Sequence, residues 1–202
     1  MSVLHVWLSH KAPNDPALAG QIVRLTNVLR DGLSAAFQPI YAVGEEVPFA
    51  VEGFIHGPVG SALEGPDQLF EAAQRTGLTN VFDEAAFLTV IESFAALRWP
   101  GKLFLNVRPS TFLTSARSMA HLQSAISRCQ LQPSRIIVEF TEHEEISSSA
   151  LLLKTIHPLL DDGVTISLDD VGAGFANMRT ICELQPQVIK VDRFFISGLA
   201  ES

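Results

Sequence analysis

The sequence predicts an α/β fold, a (β/α) barrel with an antiparallel first strand that is incomplete at its C-terminal end. Two observations carry this expectation. After an initial strand pair, strand-like and helix-like runs alternate, and a β-α-β-α order favours parallel strands joined by crossover helices. Five strands also carry a polar residue near the C-terminal end: Glu52, Asn106, Glu139, Asp169 and Lys190. A polar group inside a strand buried on both faces is costly unless it is paired. One such residue is readily a core group satisfied by the backbone. Five at corresponding positions of successive βα units make the pattern of a barrel, whose chemistry gathers at the C-terminal rim of the strands. An open doubly wound sheet would spread them along an edge.

Taken in order, residues 1–34 read as a helical lead-in and 35–202 as the barrel domain. The expected strands are 35–43, 48–57, 102–109, 135–142, 164–170 and 187–195, all short and rich in Val, Ile and Phe. "GEEV" forms a hairpin-like turn between the first two. "DQLFEAAQRTG" is helical, with Pro66 ahead of it and Gly77 as its stop. "VFDEAAFLTVIESFAAL" keeps Phe82, Ala85, Ala86, Thr89 and Phe94 near one stripe. "ARSMAHLQSAISRC" and "SALLLKTIHPLLDDG" follow, the second crossed by Pro158, which is expected to kink or shorten it. "ANMRTICEL" adds a turn or two before the last strand. A complete barrel of this kind runs to ~250 residues. Only six barrel-type units are legible, so the piece is expected to be inactive alone and either to associate through its open edges or to be marginally stable.

Composition narrows the function. The chain has 202 residues, 47% hydrophobic and 18% charged, enough for one domain with a real core. No apolar run approaches the roughly 20 residues of a membrane span, and "VLHVWL" is too short for a secretion signal. Cys129 and Cys182 have no pairing logic and read as reduced, buried thiols, which suits the cytoplasm. A net charge of −8 argues against a grip on DNA, RNA or an anionic membrane. A small anionic ligand remains compatible where cations or metals offset the charge.

The stretch "TISLDDVGAGF" sets two carboxylates, Asp169 and Asp170, side by side ahead of two glycines. Alternation puts Val188, Lys190 and Asp192 on one face of their strand, and Glu52, Phe54 and His56 on one face of theirs. Singly, each polar residue has an ordinary reading. An acidic pair caps a turn, Asn106 bonds its own backbone, Glu139 pairs with a lysine, and Lys190 neutralises Asp192. "GAG" lacks the spacing of a phosphate loop. Jointly these readings fail. Three acidic positions, an amide and a lysine converging on one rim suit a hard divalent cation, Mg²⁺ or Mn²⁺. No His or Cys cluster has zinc spacing, and His5, His10, His121, His143 and His157 read as surface or cap residues.

With these motifs in hand, the sequence resembles the EAL domain of bacterial cyclic di-GMP phosphodiesterases, from about Phe37 onward. "FQPI" is similar to that family's opening strand, and "VEGFIH" stands at its Glu-Ala-Leu motif. "FEAAQRTGL", "FLNVRP", "VEFTE", "LDDVGAGFANM" and "IKVDRFFI" resemble its later motifs in order. The resemblance implies a TIM-like barrel of EAL type and two divalent cations. Glu52, Asn106, Glu139 and Asp169 would hold one cation, and Asp169 and Asp170 the second. Asp170, Lys190 and Asp192 would serve catalysis, Lys190 orienting or deprotonating a water and Asp192 positioning Lys190. Gln38, Phe54 and His56 would face the substrate. Gly172, Gly174 and Phe175 would form a regulatory loop. The implied reaction is metal-dependent hydrolysis of cyclic di-GMP to the linear dinucleotide in second-messenger signalling. A homodimer and further regulatory domains are the expected partners.

Three departures keep a second reading open. The name motif is Glu-Gly-Phe, with Gly53 and Phe54 for Ala and Leu. His56 replaces an Arg that the family sets against a substrate phosphate, and a neutral imidazole cannot replace a bidentate guanidinium. The family's last two strands are not legible in this sequence, which is expected to be either a fragment of a longer protein or an incomplete barrel. The alternative is a degenerate EAL domain that binds cyclic di-GMP or a protein without turnover. A third reading is a different barrel enzyme using the carboxylates in enolase-like or glycosidase chemistry; a glycosidase would need two carboxyls ~5–9.5 Å apart across a sugar cleft and no metal.

Overall fold

Asp15 accepts a hydrogen bond from the Ala17 amide at 2.8 Å and so caps α1 (Pro16–Asp31). The computed structural model describes residues 15–140, 144, 146, 148–172 and 178–196. The chain continues through β1 (Ser34–Tyr41), β2 (Pro48–His56), α2 (Pro66–Thr76), α3 (Thr79–Leu97), β3 (Lys102–Val107), α4 (Pro109–Thr114) and α5 (Ala116–Arg128). It then forms β4 (Ile136–Phe140), α6 (Ser149–Asp161), β5 (Thr165–Val171), α7 (Met178–Leu184), β6 (Val188–Val191) and α8 (Arg193–Ile196). The strands form one sheet in sequence order, β1 and β2 antiparallel and every later pair parallel. This is a half-barrel of six described strands, with β1 and β6 at its two edges.

Alternation along the strands assigns the two faces different work. Val51, Leu103, Leu105, Val138, Phe140, Ile166 and Leu168 join the helices in the main core, against Phe87, Ile91, Phe94, Leu122, Ile126 and Leu152. The opposite, concave face holds a small floor of Ala50, Phe104 and Ile137, with Ile40 and Val188 packed on it. Burying Phe104 and Ile137 is worth about 1.5–3 kcal/mol each. Two residues beyond Ala50, Phe104, Ile137 and Val188, on the same strands and face, come Glu52, Asn106, Glu139 and Lys190. The polar ring therefore sits one side-chain layer above an apolar floor.

Several expectations shift. The last strand ends at Val191 because Asp192 starts a helical turn: its carboxylate accepts from the Phe194 amide at 2.6 Å and its carbonyl from Phe195 at 3.0 Å. The expected α3 stripe is not the buried one. Phe82, Asp83, Phe87, Val90, Ile91 and Phe94 are buried, while Ala85, Ala86 and Thr89 are only partly covered. That helix is apolar nearly all round, so periodicity does not select its face. α4 was not expected; Pro109 stands in its first turn, where the missing N–H costs nothing. α6 runs past Pro158 to Asp161 without being shortened. Gly77 does stop α2, in the left-handed conformation at φ 69°. Both cysteines are free, but Cys182 is exposed and only Cys129 is partly buried, which pushes its thiol pKa up. Residues 1–14, Thr141, Glu142 and His143 lie outside the described residues. No described helix is long and apolar enough to cross a membrane.

The glycine in the name motif has a packing cause. A Cβ on Gly53 would lie 2.3 Å from Cγ1 of Val90, a buried, β-branched side chain with little freedom to move. Gly53→Ala is expected to destabilise the chain by about 1–3 kcal/mol through overpacking. Val90→Ala in the same chain should recover part of the loss. Urea unfolding of the two variants and the double variant checks both statements.

Candidate metal centre

Glu52, Glu139 and Asp169 each bring a carboxylate oxygen within 4.8 Å of the others. The Lys190 ammonium lies among them. Its Nζ donates to Glu52 Oε2 at 2.7 Å and to Glu139 Oε1 at 2.5 Å, and stands 3.5 Å from Asp169 Oδ1. It also lies 5.8 Å from the centroid of Phe104, the floor residue below. Asn106 Nδ2 donates to Glu52 Oε1 at 2.9 Å. Five residues from β2, β3, β4, β5 and β6 thus meet at one rim.

Their electrostatics are out of balance. Burial raises the Glu139 pKa from its ordinary 4.5 to about 8; Lys190 opposes this, and the neighbouring Asp169 and Glu52 add to it. Burial pulls Lys190 down, but Glu139 and Glu52 more than offset it, so its pKa ends above the usual lysine range. Glu139 Oε2 is buried without a hydrogen-bond partner among the described residues. A single ammonium cannot balance three carboxylates, and one acceptor is left over. Hard oxygen donors, excess negative charge and an unused buried acceptor fit a small divalent cation.

The acidic pair occupies a β-bulge. Leu168 pairs with Ile189 and Val171 with Val191, so Asp169 and Asp170 together oppose Lys190 alone. The Asp169 carboxylate accepts from the Asp170 amide at 2.9 Å. Asp170 takes φ 45°, a left-handed conformation that Asp tolerates better than most residues. A regular strand would send adjacent side chains to opposite faces; the extra residue releases Asp170 from that rule. Asp169 joins the cluster of three, and Asp170 stands beside it, partly buried.

The remaining candidates spread outward. Gln38 is exposed on β1 and pairs in register with Glu52. Phe54 and His56 follow Glu52 on the same face of β2, both partly buried, opposite Ala36 and Ser34. Asp192 caps α8 through the Phe194 amide. Gly172 adopts φ 110°, open to glycine alone; Gly174 and Phe175 lie outside the described residues. Sequence reasoning also missed a buried ion pair beside the site. Asp83 of α3 is buried and accepts from Arg108 Nε at 2.9 Å and from the Thr111 hydroxyl. The Arg108 guanidinium carbon lies 5.3 Å from the Phe70 ring centroid. This pair ties the helix layer to the turn two residues past Asn106. The only sequence signal was an arginine in "FLNVRP" with no visible partner.

The raised Glu139 pKa has a pH consequence. A carboxyl whose folded pKa lies above its unfolded value stabilises the protein below the unfolded value and loses that contribution as pH rises. In chelator, the melting temperature should therefore fall between pH 4.5 and about 8, a window set by Glu139. Lys190 remains charged throughout. Glu139→Gln should flatten the slope, which melting curves across the window would read.

A six-stranded half-barrel with carboxylates gathered at the C-terminal ends of its strands defines an α/β-barrel domain with an acidic cluster at its rim. The chain belongs to the EAL domain family, whose sequence profile matches residues 23–202. The blue light- and temperature-regulated antirepressor BluF of Escherichia coli is 33% identical over 98 residues, 48% of this chain and 24% of BluF. The cyclic di-GMP phosphodiesterase RocR of Pseudomonas aeruginosa is 32% identical over 113 residues, 55% of this chain and 28% of RocR. The matched stretch thus spans about a quarter of each of these relatives. Among solved structures, Klebsiella pneumoniae BlrP1 with calcium and cyclic di-GMP superposes with a TM-score of 0.74 at 23% identity, covering 85% of this chain and 43% of that one. The Xanthomonas citri FimX EAL domain with cyclic di-GMP gives 0.75 at 15% identity, covering 93% and 76%. These likenesses establish the fold.

Proposed function

We propose that the chain supplies the metal- and substrate-binding part of a cyclic di-GMP phosphodiesterase, which opens the cyclic dinucleotide to its linear form in bacterial second-messenger signalling in the cytoplasm. The observation that carries this is the meeting of Glu52, Glu139 and Asp169 around Lys190, with Asn106 on Glu52. In this reading Glu52, Asn106, Glu139 and Asp169 hold one divalent cation, Mg²⁺ or Mn²⁺, and Asp169 and Asp170 share a second. Such a pair of cations supplies Lewis-acid stabilisation of the charge that develops at phosphorus and activates water. Lys190, which reaches the middle of the carboxylate cluster, orients the attacking water or helps to deprotonate it. Asp192 fixes the end of the Lys190 strand by capping α8. Gln38, Phe54 and His56 line the path to the nucleotide. A homodimer and further regulatory domains complete the assembly.

His56 favours a second reading, binding without turnover. Its imidazole lacks the bidentate fork that grips a phosphate, and one relative is named an antirepressor. Incubating the full-length protein with cyclic di-GMP and Mn²⁺ or Mg²⁺ separates the two. Linear product that disappears with chelator supports the hydrolase. Saturable binding without product supports the second reading, and product insensitive to chelator contradicts both.

A further inference from the structure

The end of β5 carries Asp169 and Asp170, and among the described residues its strand ladder thins there. Past the bulge, the described register with β6 has one more pair, Val171 with Val191. β6 is itself an edge strand of the described sheet. Asp170 and Gly172 both take positive φ, so the segment leaves the regular strand conformation here.

A side chain from α8, just past β6, meets this segment. A Cβ on Gly172 would stand 2.5, 2.9 and 3.1 Å from three atoms of the Phe195 ring. The ring therefore rests directly on the Gly172 backbone, two residues from Asp170. It also packs edge-on with Phe194, with centroids 5.6 Å apart. The ring is carried by α8, whose start is fixed by the Asp192 carboxylate and carbonyl. Asp192 lies two residues past Lys190. One short path thus runs from Lys190 through Asp192 and Phe195 to Gly172 and the acidic bulge.

We infer that Phe195 is a positioning residue for the cation site: seated on Gly172, it clasps the bulge so that Asp169 and Asp170 stay beside Lys190. This rests on the metal reading of the rim. The glycine is required on two counts, its φ and the space its missing side chain leaves for the ring. Phe195 is half exposed, so a purely structural role would be small, whereas a role in holding the bulge falls on cation affinity.

The test uses the full chain in two arms. Calorimetric titration with Mn²⁺ compares wild type, Phe195→Ala and Phe195→Tyr. The alanine variant is expected to lose about tenfold or more in affinity, as removal of outer-shell support at metal sites does; the tyrosine variant, which keeps the ring, should stay near wild type. Amide hydrogen exchange in chelator compares the same proteins over residues 169–172, and Phe195→Ala should speed exchange there and not in β3 or β4. Unchanged Mn²⁺ affinity in Phe195→Ala, with only a lowered melting temperature, would overturn the proposal. Should the wild type bind no Mn²⁺, the metal reading fails on its own, and the exchange arm still decides the clasp: local acceleration supports it and unchanged protection refutes it.

Discussion

Asp169→Asn should abolish the high-affinity binding of Mn²⁺ and any hydrolysis of cyclic di-GMP with it. In the proposed arrangement this carboxylate is shared by both cations, and an amide carries no charge to share. The loss should exceed the roughly 10–100-fold seen when only an outer-shell partner is removed. The metal-free protein should not suffer in parallel. Asp169 is one of the charges that hold the Glu139 pKa high, so its neutralisation relieves repulsion in the buried cluster. Calorimetry and melting in chelator together separate a lost ligand from a lost fold. Unchanged Mn²⁺ binding in Asp169→Asn would show that the acidic pair is not a shared ligand.

His56→Arg should tighten cyclic di-GMP binding. The residue stands four positions beyond Glu52 on the same face of β2, at the rim opposite Ser34. A guanidinium there could form a charge-assisted, bidentate contact to a phosphate, worth on the order of 1.5–3 kcal/mol, or about ten- to a hundredfold in affinity. Phe54, which lies between His56 and Glu52 on that face, is bulkier than the leucine of the family and can blunt the gain. His56→Arg combined with Phe54→Leu should then recover it. Equilibrium titration with cyclic di-GMP reads both. No gain in either variant, or weaker binding, means that the ligand lies differently or that this pocket no longer serves it.

Much of the fold was legible because its signals are local. Val, Ile and Phe runs between turn residues gave the strands, and Gly77 and Pro66 bounded a helix. The polar ring was legible because Glu52, Asn106, Glu139 and Lys190 each follow an apolar floor residue at spacing two, a period that the sequence displays directly. What escaped depends on tertiary geometry. α3 buries residues on a broad front, so its core face is decided by what packs on it and not by its own pattern. The bulge at Asp169 and Asp170 is a property of two strands in register, invisible from either alone. The Asp83–Arg108 pair joins residues 25 apart across two layers. Asp192, which shares the strand pattern of Lys190, turns out to end that strand by capping the next turn.

The most direct measurement is the anomalous scattering of manganese in crystals of the chain grown with Mn²⁺ and cyclic di-GMP. One peak is expected among Glu52, Asn106, Glu139 and Asp169 and a second between Asp169 and Asp170, with the Lys190 ammonium displaced from its contacts with Glu52 and Glu139. Manganese bound elsewhere, or none at this rim with Lys190 still bridging the two glutamates, would contradict the metal reading.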